Sequence, residues 1–154
     1  MLQGHRTFPF LCDRVKRTKM QTLIEIVIGA LLAGGFVLLA RLSRSYAREK
    51  RLYAVGLVVT ALIYVGFGVS TGSIRWILIE LAGVAVFAVF AVFGLKKSGW
   101  FLAAGWALHP LWDTGLRDST QFVPHWYITA CIGFDLLVAL YICFRGRNFG
   151  VETS

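Results

Sequence analysis

Long apolar runs separated by short polar segments set the pattern of this chain. The runs cover about 22–40, 52–70, 74–95, 100–116 and 126–144. Runs of about 20 residues match the length that an α-helix needs to cross a bilayer, whereas strands of a membrane barrel would alternate apolar and polar positions. The pattern therefore predicts an all-α integral membrane helical bundle with about five transmembrane helices.

The predicted fourth helix differs from the others. Its apolar stretch is short and is interrupted by Pro110, and its far end, 113–116, is already polar. We expect this end to face a cavity, because polar backbone at membrane depth is tolerated only where protein or water covers it. The domain organisation is then a basic extension at 1–19, a five-helix membrane domain at 20–147 and a short tail at 148–154.

Composition supports a lipid environment. The chain is 57% hydrophobic and only 16% charged, whereas soluble domains carry about 25% charged residues. Its net charge of +8 comes from Lys and Arg residues that fall between apolar runs, so they indicate membrane topology and not a nucleic-acid surface. We expect the lipid bilayer as the main partner, and no nucleic acid.

The basic residues predict the orientation of the chain. Positive charges at 41–51, 96–97 and 145–147 all fall on one side of the predicted bundle, which the positive-inside rule assigns to the cytoplasm. This places the C-terminus in the cytoplasm, most simply of a bacterial inner membrane. The basic segment 6–19 conflicts with this orientation, and translation starting at Met20 would remove the conflict.

Acidic residues inside the apolar runs are the main functional signal. Of the eight acidic residues, four lie within or at the end of predicted helices: Glu25, Glu80, Asp113 and Asp135. An ionisable group at the bilayer centre costs about 2.5–3.5 kcal/mol on insertion scales, so such groups indicate function by default. With a rise of about 1.5 Å per residue, these groups and His109 fall in the external half of the bundle, and no comparable group is expected in the other half.

Helical spacing then suggests which of these side chains meet. Trp106, His109 and Asp113 are spaced three and four residues apart, so they share one face of the fourth helix. Pro110 cannot donate a hydrogen bond to the Trp106 carbonyl, which leaves that carbonyl available. On the fifth helix, a similar stripe holds Tyr127, Cys131 and Asp135, and Tyr64 lies at matching depth on the second helix.

We therefore take His109, Asp113, Asp135 and Glu80 as candidate catalytic residues, and Glu25, Tyr64, Trp106, Tyr127 and Cys131 as candidate substrate-binding residues. Two alternatives stay open. The polar groups could simply hold helices together, or His109 and three carboxylates could bind iron, manganese or zinc. The pattern itself assigns no metal ligands and no cofactor.

The chain contains the segment W-A-L-H-P-L-W-D at 106–113, followed by Pro124 and by C-I-G-F-D-L-L-V-A at 131–139. This arrangement resembles an uncharacterised family of small bacterial integral membrane proteins. The shared pattern is W-x-x-H-x-x-W-D followed by C-x-x-x-D, and it covers about the last third of the chain. That family has further histidines after the W-D pair, where this chain has Thr114, Gly115 and Leu116. The resemblance implies a membrane protein and no known activity.

Three functions fit these residues. The first is an acid/base enzyme acting on a lipophilic, isoprenoid- or sterol-like substrate, such as an isomerase or cyclase. The second is a small proton-coupled transporter, against which the expected absence of polar groups in the cytoplasmic half counts. The third is an accessory subunit of a larger membrane complex, with the polar groups holding a cofactor or a partner helix.

Overall fold

The computed structural model describes residues 8–116 and 123–147, and the side chains of residues 18–114 and 123–145. These ranges form only helices and the turns between them. In chain order they are α1 (Phe8–Leu42), α2 (Tyr46–Ser70), α3 (Ile74–Lys96), α4 (Gly99–Leu111), a π-helical turn (Trp112–Leu116) and α5 (His125–Arg147). The predicted all-α bundle is confirmed.

Four of these helices are long and apolar enough to cross a membrane: the 18–42 part of α1, α2, α3 and the 125–145 part of α5. α4 has 13 residues and rises only about 20 Å, so it does not reach across the hydrocarbon by itself. Large apolar side chains point outward, for example Leu31 (70% exposed) and Ile74 (72% exposed). Soluble monomers rarely expose such surface, and we conclude that this is an integral membrane protein.

The ends of the first two helices differ from the prediction. The first helix was expected to begin near residue 22 but begins at Phe8, and most of the expected basic loop 41–51 is helical. Only residues 43–45 connect α1 to α2. The reason is that Arg, Lys and Glu are good helix formers, and no Gly or Pro interrupts the chain between 36 and 55.

The bundle consists of two helix pairs with α4 between them: α1 packs along α5, and α2 packs along α3. Two glycines allow the close approach of α1 and α5. A Cβ atom at Gly29 would collide with the backbone of Ala130, and one at Gly133 would collide with the backbone of Ile26. α4 contacts both pairs, and this position brings its polar side chains into the centre of the bundle.

Trp106 is the centre of the apolar core. Its side chain is fully buried among Leu57, Phe36 and Phe134, and its indole N–H donates to the carbonyl of Tyr53 at 3.2 Å. Burying an indole without a partner for its N–H would be costly, so this bond fixes α4 against α2. This core lies between two polar clusters, which are described next.

Candidate functional site

α4 and the π-helical turn after it bring His109 and Asp113 together. Each residue is 1% exposed, and His109 Nδ1 lies 3.4 Å from Asp113 Oδ2. Pro110 lacks an N–H and so interrupts the hydrogen-bond pattern of α4, and the helix widens into the π turn immediately after it. The Thr114 hydroxyl donates to the Pro110 carbonyl at 2.7 Å, which stabilises this irregular end.

Asp135 reaches the same imidazole from α5. Its Oδ2 lies 3.0 Å from His109 Nδ1, so a single ring nitrogen is shared by carboxylates from two segments. The second oxygen, Oδ1, is buried and has no hydrogen-bond partner among the described residues. An acceptor of this kind costs free energy unless a proton, water or ligand satisfies it, so Asp135 has spare capacity for binding.

Tyr64 of α2 completes what we call the His109 cluster: Tyr64, His109, Asp113 and Asp135. The Tyr64 hydroxyl donates to Asp113 Oδ2 at 2.6 Å, and the Tyr64 ring meets the imidazole edge-on, with 5.6 Å between ring centroids. On the other side, the ring of Phe87 lies 4.7 Å from the imidazole. Four elements therefore hold this histidine, and its orientation is fixed.

A narrow void adjoins the cluster, between α2, α3 and α4. Glu80, which is 2% exposed, lines it together with Tyr64 and His109. Trp112 lines it too and packs against Gly83, where a Cβ atom would press on the indole. Trp106, which the sequence had suggested as a substrate-binding residue, does not line this void.

Three other candidates lie at or beyond the edge of the cluster. Tyr127 packs against the Tyr64 ring at 5.8 Å, and the Cys131 thiol contacts the hydroxyls of both tyrosines. Glu25 lies elsewhere: it accepts a bond from Gln21 at 3.2 Å and faces His125 at 4.0 Å. The structure therefore does not bring Glu25 to His109.

The expectation that the other half of the bundle has no comparable polar group is wrong. Glu49, only 4% exposed, accepts hydrogen bonds from Tyr141 at 2.8 Å and Tyr53 at 3.4 Å, and pairs with Arg145 at 3.4 Å. We call these four residues the Glu49 cluster. Glu49 was missed because it lies among basic residues that suggested a solvated loop, and only folding brings α5 against it.

The His109 cluster could also hold a metal ion. One ligand atom from each of His109, Asp113 and Asp135 lies within 4.8 Å of the others. Ligand atoms bound at about 2.0–2.2 Å from one zinc ion lie roughly 3–3.5 Å apart, and the distances of 3.0 and 3.4 Å from Nδ1 match this spacing. Glu80, which the sequence added to this set, is not one of the three converging residues.

Comparison with known proteins identifies the family. The sequence profile of a family of unknown function, DUF6010, matches residues 20–148. The chain belongs to this family. No curated protein and no solved structure matches the chain. The resemblance to an uncharacterised family is confirmed, while the W-x-x-H-x-x-W-D pattern itself stays a prediction, and function has to be argued from the site.

Proposed function

We propose that this protein is a membrane-embedded acid/base enzyme that acts on a lipophilic, isoprenoid- or sterol-like substrate, with the His109 cluster as its reacting groups. The observation that carries the proposal is the position of His109 Nδ1, which lies 3.0 Å from one carboxylate and 3.4 Å from another. The site thus combines proton donors and proton acceptors within reach of one another.

The charge of the cluster supports proton transfer. An imidazolium with two carboxylates has a net charge of −1, and a buried uncompensated charge is costly. The cluster is neutral when one of the two carboxyl groups carries a proton. That carboxylic acid can protonate a carbon–carbon double bond while the other carboxylate accepts a proton from a neighbouring carbon, so a double bond moves without any co-reactant.

The void beside the cluster limits what enters. Ligand pockets for drug-sized molecules measure about 300–1,000 Å³, whereas this void has no room even for a water molecule. The reacting end of a substrate would enter only when the surrounding side chains move apart, and the rest of a lipophilic molecule would lie among the lipid tails. Trp112 is half-buried and covers the void, so we expect it to move when substrate enters.

Deuterium incorporation tests this proposal and does not require that the substrate be identified first. The purified protein in lipid nanodiscs is incubated in D₂O with isoprenoids and with a lipid extract of the native membrane, and products are analysed by mass spectrometry. We expect a product that carries one solvent deuterium, and at least a hundredfold loss of it in Asp135→Asn, in line with the 10²–10⁴-fold effect of general acid/base groups.

Thr60→Ala is the matched control, because Thr60 is an intramembrane polar residue. Within the described part of the chain, its hydroxyl bonds only to carbonyls of its own helix, those of Gly56 and Leu57. This variant should incorporate deuterium like the wild type. Absence of any deuterated product with the complete lipid extract, or equal incorporation by Asp135→Asn, would count against the enzyme.

Proton-coupled transport is the second candidate, and the Glu49 cluster favours it. From Glu49 to Tyr64, α2 rises roughly 22 Å, so ionisable groups lie in both halves of the bundle with the Trp106 core between them. Alternating access needs groups reachable from each side. In proteoliposomes containing a pH-sensitive dye, substrate-dependent proton flux that Glu49→Gln abolishes would support transport, and flux that survives in Glu49→Gln would argue against it.

We also propose that the protein lies in a bacterial inner membrane with its basic end in the cytoplasm. The basic end is the end of the bundle at which α2 and α4 begin and α5 ends. Lys50, Lys97 and Arg145 lie there, which is the distribution that the positive-inside rule describes.

A further inference from the structure

A second cavity lies at the basic end, and it is larger than the void beside His109. It lies between the start of α2, the start of α4 and the end of α5. Tyr46, Lys50 and Arg145 contribute its polar edge, while Leu102 and Ile142 contribute apolar wall. Tyr46 is 42% exposed and Lys50 is half-buried, so the cavity opens to the surface.

The charges around this cavity favour an anion. Glu49 is already paired with Arg145 at 3.4 Å and accepts two tyrosine hydroxyls. Lys50 therefore adds a positive charge that no carboxylate in the cavity wall balances. Its ammonium group has three donors, and it donates one to the Leu95 carbonyl at 3.3 Å.

The backbone adds to this preference. Tyr46 and Gly99, the first residues of α2 and α4, both line the cavity. The start of a helix carries a partial positive charge, which stabilises anions. Two helix starts thus reinforce the field of Lys50 at one place.

We propose that this cavity binds the phosphate headgroup of an anionic phospholipid, a role independent of the proposed chemistry at His109. The cavity lies at the helix ends, where headgroups lie in a bilayer, and Lys50 is on its edge. Trp100 and Phe101, at the start of α4, are 55% and 41% exposed and offer apolar surface to the acyl chains. Basic pockets between membrane helices bind anionic headgroups in this way.

Native mass spectrometry of the intact protein tests the proposal with two lipids that share the same acyl chains, phosphatidylglycerol and phosphatidylcholine. We expect the wild type to retain phosphatidylglycerol preferentially. Lys50→Gln should lower that retention about fivefold, the effect of one basic residue near a headgroup. Lys97→Gln is the control, since Lys97 is an exposed lysine at the same end that does not line the cavity, and it should retain the lipid.

Three results would overturn the proposal: equal retention of the two lipids, equal loss in both lysine variants, or displacement of the lipid by millimolar glycerol 3-phosphate, which would identify a soluble phosphate as the ligand. Lys50→Arg keeps the charge and should keep the lipid. If Lys50→Gln has a lower melting temperature than wild type in lipid-free detergent, lipid retention by Lys50→Arg decides between the outcomes. Loss of lipid in Lys50→Arg contradicts a site that depends on the charge of Lys50.

Discussion

At the residue scale, the two carboxylates around His109 are not equivalent. Asp113 Oδ2 faces the imidazole at 3.4 Å and also accepts the Tyr64 hydroxyl at 2.6 Å. Asp135 lies closer to the imidazole, at 3.0 Å, and keeps one buried oxygen without a partner among the described residues. The two carboxylates are therefore held differently: Asp113 Oδ2 faces two polar groups, whereas Asp135 keeps an oxygen that can still accept a hydrogen bond from a water or a ligand.

The Tyr64 hydroxyl should therefore stabilise the bundle measurably. Tyr64→Phe removes the short buried hydrogen bond to Asp113, together with the contact to the Cys131 thiol, and leaves the packing of the ring intact. We expect a loss of about 0.6–1.7 kcal/mol, the range of intramembrane hydrogen bonds, measured by unfolding in mixed micelles. Tyr53→Phe is the comparison, because its hydroxyl meets Glu49 at 3.4 Å and its removal should cost less. A larger loss in Tyr53→Phe would show that the Tyr64 bond is not the stronger one.

The sequence predicts the residues of the His109 cluster better than it predicts their partners. His109, Asp113 and Asp135 are identifiable because a polar group in an apolar run is costly wherever the run folds. Glu49 has no such signal, because its neighbours in the sequence are basic and a carboxylate that faces water there costs no free energy. Its partners Tyr141 and Arg145 lie 92 and 96 residues away, so only the tertiary arrangement reveals this second cluster.

At the scale of the helices, the contact between α1 and α5 depends on two glycines. Gly29 faces the backbone of Ala130, and Gly133 faces that of Ile26. Small residues allow such close backbone contact in membranes, where packing replaces the hydrophobic effect as the driving force. The apolar runs predict both helices but not their pairing, because every face of an apolar helix is equally stable in contact with lipid.

Gly133→Ala should separate α1 from α5. The added methyl group meets backbone atoms, which cannot move aside as a flexible side chain would, so we expect a loss of about 1–3 kcal/mol, as for other overpacked sites. Gly34→Ala is the control: it lies on α1 with no heavy atom within 4 Å of a new Cβ. It should be neutral or gain up to about 1 kcal/mol from helix propensity.

Thermal unfolding in one detergent compares the two glycine variants directly. The order of melting temperatures should be Gly34→Ala at or above wild type and Gly133→Ala well below it. Equal melting temperatures for Gly133→Ala and wild type would mean that α1 and α5 are not packed at backbone contact.

At the scale of the whole molecule, α5 connects the two polar clusters. Asp135 joins it to α4, and Tyr141 with Arg145 joins it to α2. The number of helices and the basic end were accessible from the sequence, because length and charge are local properties. Which helix links the clusters was not, since it depends on α4 lying between the two helix pairs.

The orientation of the molecule gives the last prediction. If the basic end lies in the cytoplasm, the turn between α2 and α3 faces outward and the turn between α3 and α4 faces inward. In a variant with its native cysteines replaced, Ser73→Cys should react with a membrane-impermeant maleimide in intact cells. Ser98→Cys should react only after lysis. Among the residues that the structure describes, the Ser98 hydroxyl has one long bond, accepted from the Trp100 N–H at 3.4 Å, so this change should leave the fold intact. Labelling of residue 98 and not of residue 73 in intact cells would show that the protein has the opposite orientation. Labelling of both residues would mean that the chain inserts in two directions. Each polar cluster would then lie on both sides of the membrane.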